Sequence, residues 1–192
     1  YAQVSLYPKS NTNYYPQERK NPAVMAVMLL PKISKAERVI EFRSLDYNEI
    51  NVFMQALRAS TYHYKNALEF LILTCVRSGD VRGAKWNEID FEKRMWTIPA
   101  DRLKIKSNGD HRVPLSESAI QVLNKQQSTR QKPSNENEYI FPNTKGGQIN
   151  DDALNNIIRK LGYGAKTVVH GFRACFKTWA TETVIPPQKS IS

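Results

Sequence analysis

The sequence of 192 residues has little of what several large protein classes need. Its two cysteines, Cys75 and Cys175, are too few for a disulfide framework and fit a reducing compartment. Its three histidines are too scattered for a zinc motif, and none of its eight glycines forms a phosphate-binding loop. The longest uncharged apolar run, residues 23–30, is far too short to cross a membrane. We therefore expect a cytoplasmic protein without a bound metal or cofactor.

Positive charge, by contrast, is in excess. The chain has 28 Lys and Arg against 18 Asp and Glu, a formal net charge of +10 at pH 7. Such an excess attracts polyanions, and nucleic acid is the commonest polyanion inside cells. Residues 153–181 contain five basic residues and no carboxylate. The charge by itself predicts a nucleic-acid partner and a protein that is merely kept soluble about equally well.

The hydrophobic patterns predict a mainly helical (α+β) domain with one small antiparallel sheet. Asp46 and Glu49 have the spacing of a capping box, and the apolar stretch from Lys65 to Arg77 is typical of a buried central helix. We read residues 1–43 as a connector or the tail of a preceding domain, and residues 44–192 as one domain. Further helices are predicted over 80–85, 116–126, 151–161 (with Asn150 as its cap) and 171–182.

Two extended segments flank an Asn-Gly pair in the middle of the chain. Residues 102–106 and 111–114 lie on either side of Asn108-Gly109, and such a pair between extended segments is a strong hairpin signal. The segment Met95 to Ile98 is predicted as another strand. The sheet should therefore include a hairpin that turns at Asn108.

Two arginines lie in unusually apolar surroundings. Arg77 ends the predicted central helix, and Arg173 lies among Phe172, Cys175 and Phe176. An arginine beside a core is costly unless an anion or carboxylate meets it. For Arg77 two structural explanations stay open, namely a cation that meets the carbonyl groups at a helix C-terminus and an ion pair with Asp80.

The surroundings of these arginines resemble the conserved boxes of tyrosine recombinases, the phage-integrase family. Thr74-Cys-Val-Arg-Ser-Gly-Asp-Val-Arg-Gly-Ala-Lys-Trp86 is similar to the first box, and His170-Gly-Phe-Arg173 to the second. Lys106 lies between them, where the family has a hairpin lysine. The resemblance covers about residues 44–185, and the wording of the boxes is most similar to that of the P4-like integrases of prophages and genomic islands. It implies the fold of a recombinase catalytic domain.

The resemblance also implies a reaction and a site. Family members cut DNA with a tyrosine that forms a 3′-phosphotyrosyl link, and a 5′-hydroxyl later reverses the step without metal or nucleotide. Planar, permanently charged guanidinium groups suit the oxygens of the transition state. The family assignment gives this role to Arg77 and Arg173, that of general acid to Lys106, an assisting role to His170 and an orienting role to Asp80.

Other basic residues are weaker candidates. They are predicted to contact DNA phosphates or to be merely solvated: Lys104, Arg112, Lys160 and Lys177. The partner implied by the family is double-stranded DNA at attachment sites, bound by a homotetramer of the parent protein in a bacterial host. This chain by itself is expected to be monomeric.

The nucleophile of the family is missing from the expected place. Every tyrosine precedes the second box, and the 19 residues after Arg173 contain neither a third box nor a tyrosine. Tyr163 is nearest, but its Gly-Tyr-Gly setting predicts a turn. We therefore expect a catalytic domain that lacks its nucleophile segment and is inactive alone, whether through natural truncation, engineering or proteolysis. Three alternatives stay open: a DNA-binding remnant or regulator, a type IB topoisomerase, and a basic interaction domain.

Overall fold

Six α-helices and a three-stranded sheet form the part of the chain that the computed structural model describes, which is residues 43–103, 109–129 and 138–184. The helices are α1 (Ile50–Ala59), α2 (Lys65–Thr74), α3 (Ser78–Arg82), α4 (Glu117–Ser128), α5 (Ala153–Lys160) and α6 (Gly171–Trp179). The strands are β1 (Ile89–Asp90), β2 (Met95–Ile98) and β3 (His111–Pro114). The predicted fold class, mainly helical with a small antiparallel sheet, is confirmed. The division into residues 1–43 and 44–192 stays a prediction.

Helix α2 is the centre of the core, as its apolar pattern predicts. Leu68, Phe70 and Leu71 are fully buried, and α2 packs against α1, α3, α4 and α5. The helix ends at Thr74, three residues earlier than predicted, because Cys75 has a left-handed backbone with φ of 52°. This turn directs the chain into α3, so that Arg77 precedes a new helix instead of ending α2.

The sheet has the order β1-β2-β3. Strand β3 pairs with β2, with Met95 opposite Pro114 and Ile98 opposite His111, and the predicted strand 102–106 does not begin at Arg102. The burial of Trp96, Ile98 and Val113 explains this register, because the pairing places all three against the core. Arg102 instead ends a 3₁₀ turn, Ala100–Arg102. Residues 104–108 lie outside the described ranges.

Several helix ends differ from prediction in detail. Asp46 caps a 3₁₀ turn, Tyr47–Glu49, by accepting a hydrogen bond from the Asn48 amide at 2.8 Å. Helix α5 begins at Ala153, so Asn150 is not its cap residue. Helix α6 ends at Trp179 and continues as the wider π-turn Ala180–Val184.

Two further searches cover the described ranges only. No helix there is long and apolar enough to cross a membrane. Nor does this part of the chain bring together three or more His, Cys, Asp or Glu side chains in a group that fits a metal ion.

Candidate functional site

An open cleft of about 740 Å³ lies where α3, the turn after β2 and the start of α6 meet. Arg77, Asp80, His170 and Arg173 all line it, although His170 follows Asp80 by 90 positions in the sequence. These four residues, to which the resemblance gives the catalytic and orienting roles, therefore lie at one place. The cleft is the candidate functional site.

Arg77 is held at the cleft by the turn between α2 and α3. Its backbone is extended (φ −73°, ψ 150°) at the position that caps α3, and its side chain is exposed. Since α2 has already ended at Thr74, Arg77 does not meet the carbonyl groups of that helix. Among the described residues, no ion pair joins Arg77 to Asp80. Both structural explanations of Arg77 therefore fail in this structure, and its guanidinium faces an open cleft.

Arg173 lies two residues into α6 and is half-buried. Its Nη1 atom donates a hydrogen bond to the main-chain carbonyl of Cys75, which lies 98 residues earlier in the sequence. This bond explains how a charged group is tolerated beside the core, and it ties the second box to the first. The same guanidinium borders the cleft.

His170 precedes α6 and is exposed at the cleft wall, three residues before Arg173. Gly171 between them allows a close approach, because a Cβ atom there would overlap the carbonyl oxygen of Arg43 and lie 2.6 Å from Oγ1 of Thr167. A larger residue would push the start of α6, and with it His170, away from its present place.

A second cavity, of about 480 Å³, adjoins the same residues. Arg77, His170 and Arg173 line it together with Lys177, one turn further along α6. Lys177 is exposed, so its ammonium group adds positive charge next to the arginine pair. Of the weaker candidates that the structure describes (Arg112, Lys160 and Lys177), it is therefore the one that joins the site.

The other predicted residues divide into two groups. Arg112 is exposed on β3, and the Nζ atom of Lys160 lies 5.5 Å from the centre of the Tyr62 ring; neither residue lines either cavity. Lys104 and Lys106 lie outside the described residues, so the position of the predicted general acid stays a prediction.

The sequence analysis missed three residues that line the cleft: Lys85, Arg102 and Tyr139. Lys85 lies over the Tyr139 ring, with Nζ 5.9 Å from its centre, and the two residues form an isolated β-bridge. Arg102 pairs with Glu88, whose side chain is only 5% exposed. No local signal marks this pair, because Glu88 lies between Asn87 and Ile89 in a mixed polar and apolar stretch and its burial is seen only in the structure.

Cations outnumber carboxylates around the cleft. Its lining includes Arg77, Lys85, Arg102 and Arg173 against the carboxylates Asp80 and Asp101. Arg102 is paired with Glu88, and the three other cations still outnumber the two carboxylates. Such a concave, positively charged surface concentrates anions, and planar guanidinium groups match the geometry of phosphate oxygens. The arrangement is therefore suited to a bound phosphodiester.

Both cysteines lie close to the arginine pair but are not suited to nucleophilic chemistry. Burial raises the pKa of the Cys75 thiol; the nearby charge of Arg173 opposes this effect and Cys175 adds to it. Burial also raises the pKa of Cys175, with a smaller contribution from Asp46. The raised pKa values leave both groups as neutral thiols at pH 7, so packing is their role at this site.

Comparisons with known proteins give a family match over most of the chain. The family model described as the phage integrase family matches residues 43–189. Prophage integrase IntA of Escherichia coli K12 is 33% identical over 149 residues, which are 75% of this chain and 34% of that protein. The integrase of enterobacteria phage P4 is 36% identical over 121 residues, which are 56% of this chain and 27% of that integrase. The chain thus spans about a third of the length of these curated relatives.

Solved structures show the same fold at low sequence identity. The XerH site-specific recombinase bound to its difH substrate matches with a TM-score of 0.59 and 19% identity, covering 75% of this chain and 44% of that one. A lambda integrase dimer bound to a COC′ core site matches with a TM-score of 0.54 and 16% identity, covering 78% of this chain and 54% of that one.

Proposed function

The chain belongs to the phage integrase family, and from this premise we propose that it supplies the phosphate-binding part of a catalytic domain for site-specific recombination of duplex DNA. The observation that carries the proposal is the convergence of Arg77, His170 and Arg173 on one positively charged cleft. The two arginines come from segments 96 residues apart in the sequence and are linked through the Cys75 carbonyl.

The proposed reaction is a transesterification. A tyrosine hydroxyl loses its proton to a neighbouring base as its oxygen attacks phosphorus. The bond from phosphorus to the 5′-oxygen breaks, and the 5′-oxygen accepts a proton from a general acid and leaves as a hydroxyl. Negative charge grows on the non-bridging oxygens in the transition state, where Arg77 and Arg173 donate hydrogen bonds to them. Removing one such stabilising group typically costs about 10²–10³-fold in rate. His170 stands three residues from Arg173, placed to hold the phosphate or assist proton movement.

We propose that Lys106 is the general acid that donates a proton to the leaving 5′-oxygen. A lysine loses its proton more readily beside other positive charges, which Arg77 and Arg173 would provide. In the protein that completes this domain, Lys106→Ala should preserve DNA binding and abolish most cleavage. A substrate with a 5′-thio leaving group needs no proton, so it should restore cleavage by that variant; a failure to restore it would contradict the general-acid role.

The attacking tyrosine, we propose, does not come from these 192 residues. Of the tyrosines in residues 43–103, 109–129 and 138–184, only Tyr139 lines the cleft, and its ring lies under Lys85. Tyr163 packs with the edge of its ring against Phe53, at 4.9 Å between centres, away from the cleft. A nucleophile from a further segment would complete the site. In the bacterial cytoplasm, the complete enzyme would act as a tetramer on attachment-site DNA.

Salt dependence of DNA binding tests this proposal. A fluorescently labelled duplex titrated with the chain should show an affinity that falls steeply as salt rises. A protein with several phosphate contacts loses about 10³–10⁵-fold between about 50 and 200 mM salt. Fluorescence anisotropy measures the dissociation constant at each salt concentration. An affinity that does not change with salt would contradict a role in DNA binding, and with it the proposed function.

A further inference from the structure

The turn that carries Arg77 is held at both ends by arginines that donate to main-chain carbonyl groups. At one end, Nη1 of Arg173 donates to the carbonyl of Cys75. At the other end, Nη2 of Arg102 donates to the carbonyl of Asp80 at 2.7 Å. Helix α3, between these anchors, has five residues, too few to be stable without such tertiary contacts.

Glu88 fixes Arg102 in place. One carboxylate oxygen of Glu88 pairs with Nη1 of Arg102, while the other accepts hydrogen bonds from Nε1 of Trp96 at 3.0 Å and from the Lys85 amide at 3.3 Å. Trp96 is fully buried and the Glu88 side chain is 5% exposed, so the carboxylate can hardly move. Charge-assisted bonds of this kind are stronger and more directional than neutral ones.

The chain leaves space for this guanidinium at Gly83. A Cβ atom there would lie 2.8 Å from Nη2 and 3.3 Å from Cζ of Arg102. Gly83 has an ordinary backbone (φ −95°), so the reason for glycine at this position is the space that Arg102 occupies and not the backbone angle. The site is therefore built around the present position of Arg102.

We propose that Glu88 and Arg102 form a positioning pair that holds the turn from Arg77 to Asp80 in the cleft, so that Arg77 meets a DNA phosphate in the correct orientation. The inference rests on the proposed function of the cleft. Arg102 acts through the Asp80 carbonyl, and its charge is compensated by Glu88. A direct phosphate-binding role for Arg102 is the competing explanation.

The two explanations predict opposite effects of Glu88→Gln. This substitution removes a negative charge close to the cleft and frees the Arg102 guanidinium. If Arg102 bound phosphate directly, phosphate would bind more tightly. If Arg102 positions the turn, the anchor loosens and phosphate binds more weakly, by about tenfold for the loss of one charge-assisted hydrogen bond.

The experiment uses the 192-residue chain labelled with ¹⁵N, titrated with inorganic phosphate at constant ionic strength. The Nε–Hε signals of Arg77 and Arg173, assigned from their lysine variants, report the dissociation constant. The variants are Glu88→Gln and Gly83→Ala, of which the second displaces Arg102 without changing any charge. Arg58→Lys is the matched control, because Arg58 also pairs with a largely buried carboxylate, that of Glu69, and does not line the cleft.

The inference predicts that both variants bind phosphate about tenfold more weakly while the control binds like the unmodified chain. The Arg173 signal without phosphate should keep its position, which shows that the fold and the Cys75 anchor are intact. If Glu88→Gln fails this check, the Nε–Hε signal of Arg102 in the unmodified chain decides, because phosphate shifts it strongly only if Arg102 binds phosphate directly. Unchanged or tighter binding would overturn the positioning role and leave the proposed function standing. If neither arginine signal responds in the unmodified chain, the proposed function fails first.

Discussion

Removal of Arg173 should weaken the fold as well as the site. Arg173→Ala deletes the hydrogen bond from Nη1 to the Cys75 carbonyl, the bond that joins α6 to the end of α2. A hydrogen bond to a charged group contributes about 1.5–3 kcal/mol when buried. Arg173 is half-buried, so the lower part of this range applies. We therefore expect the free energy of unfolding to fall by about 2 kcal/mol.

Urea denaturation followed by tryptophan fluorescence measures this change. With a slope of about 2 kcal/mol per molar urea, the midpoint should fall by about 1 M. Lys177→Ala is the matched control, since it removes an exposed positive charge from the same helix and should change the free energy by less than about 0.5 kcal/mol. Arg173→Lys keeps the charge but not the planar donor group, so its midpoint should lie between the two. If Arg173→Ala and Lys177→Ala unfold at the same urea concentration, the bond to Cys75 does not hold the boxes together.

Three further predictions concern the same region. Gly171→Ala should lower the melting temperature by about 4–8 °C, because its Cβ would overlap a carbonyl oxygen of the segment before α1. Gly79→Ala is the control and should change the melting temperature little, since no atom lies nearer than 3.9 Å to its Cβ position. Equal shifts in the two variants would contradict the close contact at Gly171. Iodoacetamide should modify Cys75 and Cys175 more slowly at pH 7 than an exposed thiol, because their raised pKa values lower the thiolate fraction. The rate, measured by mass spectrometry, should increase as the pH rises. Rapid labelling at pH 7 would contradict the raised pKa values. On nicked attachment-site DNA the chain should form no covalent adduct, and an adduct lost in Tyr139→Phe would identify the cleft tyrosine as a nucleophile.

Much of the fold follows from local patterns. The apolar stretch over residues 65–77 predicts a buried central helix, because a helix that is apolar on nearly all sides must lie inside the core, and the β-like segment Met95 to Ile98 predicts a strand. The convergence of Arg77 and Arg173 was expected from the family resemblance alone. Nothing in either local sequence shows that the second arginine donates to the Cys75 carbonyl.

The rest depends on contacts between distant segments. The pairing of β3 with β2 follows from the burial of Val113 and Trp96 against the core, which the Asn108-Gly109 pair does not indicate. Cys75 ends α2 in a left-handed conformation that favours glycine or asparagine, so no residue preference predicted it. The contact of Arg102 with Asp80 likewise joins residues that no periodic pattern relates.

If Arg77 and Arg173 hold a DNA phosphate in the cleft, the salt dependence of duplex binding must change when both are removed. Each phosphate contact adds about 0.9 to the slope of log affinity against log salt concentration. The double variant Arg77→Ala/Arg173→Ala should therefore reduce that slope by about 1.8. Lys125→Ala/Lys145→Ala, which removes the same charge from two exposed residues that do not line the cleft, should leave the slope nearly unchanged. Equal slopes for the two double variants would contradict this phosphate contact.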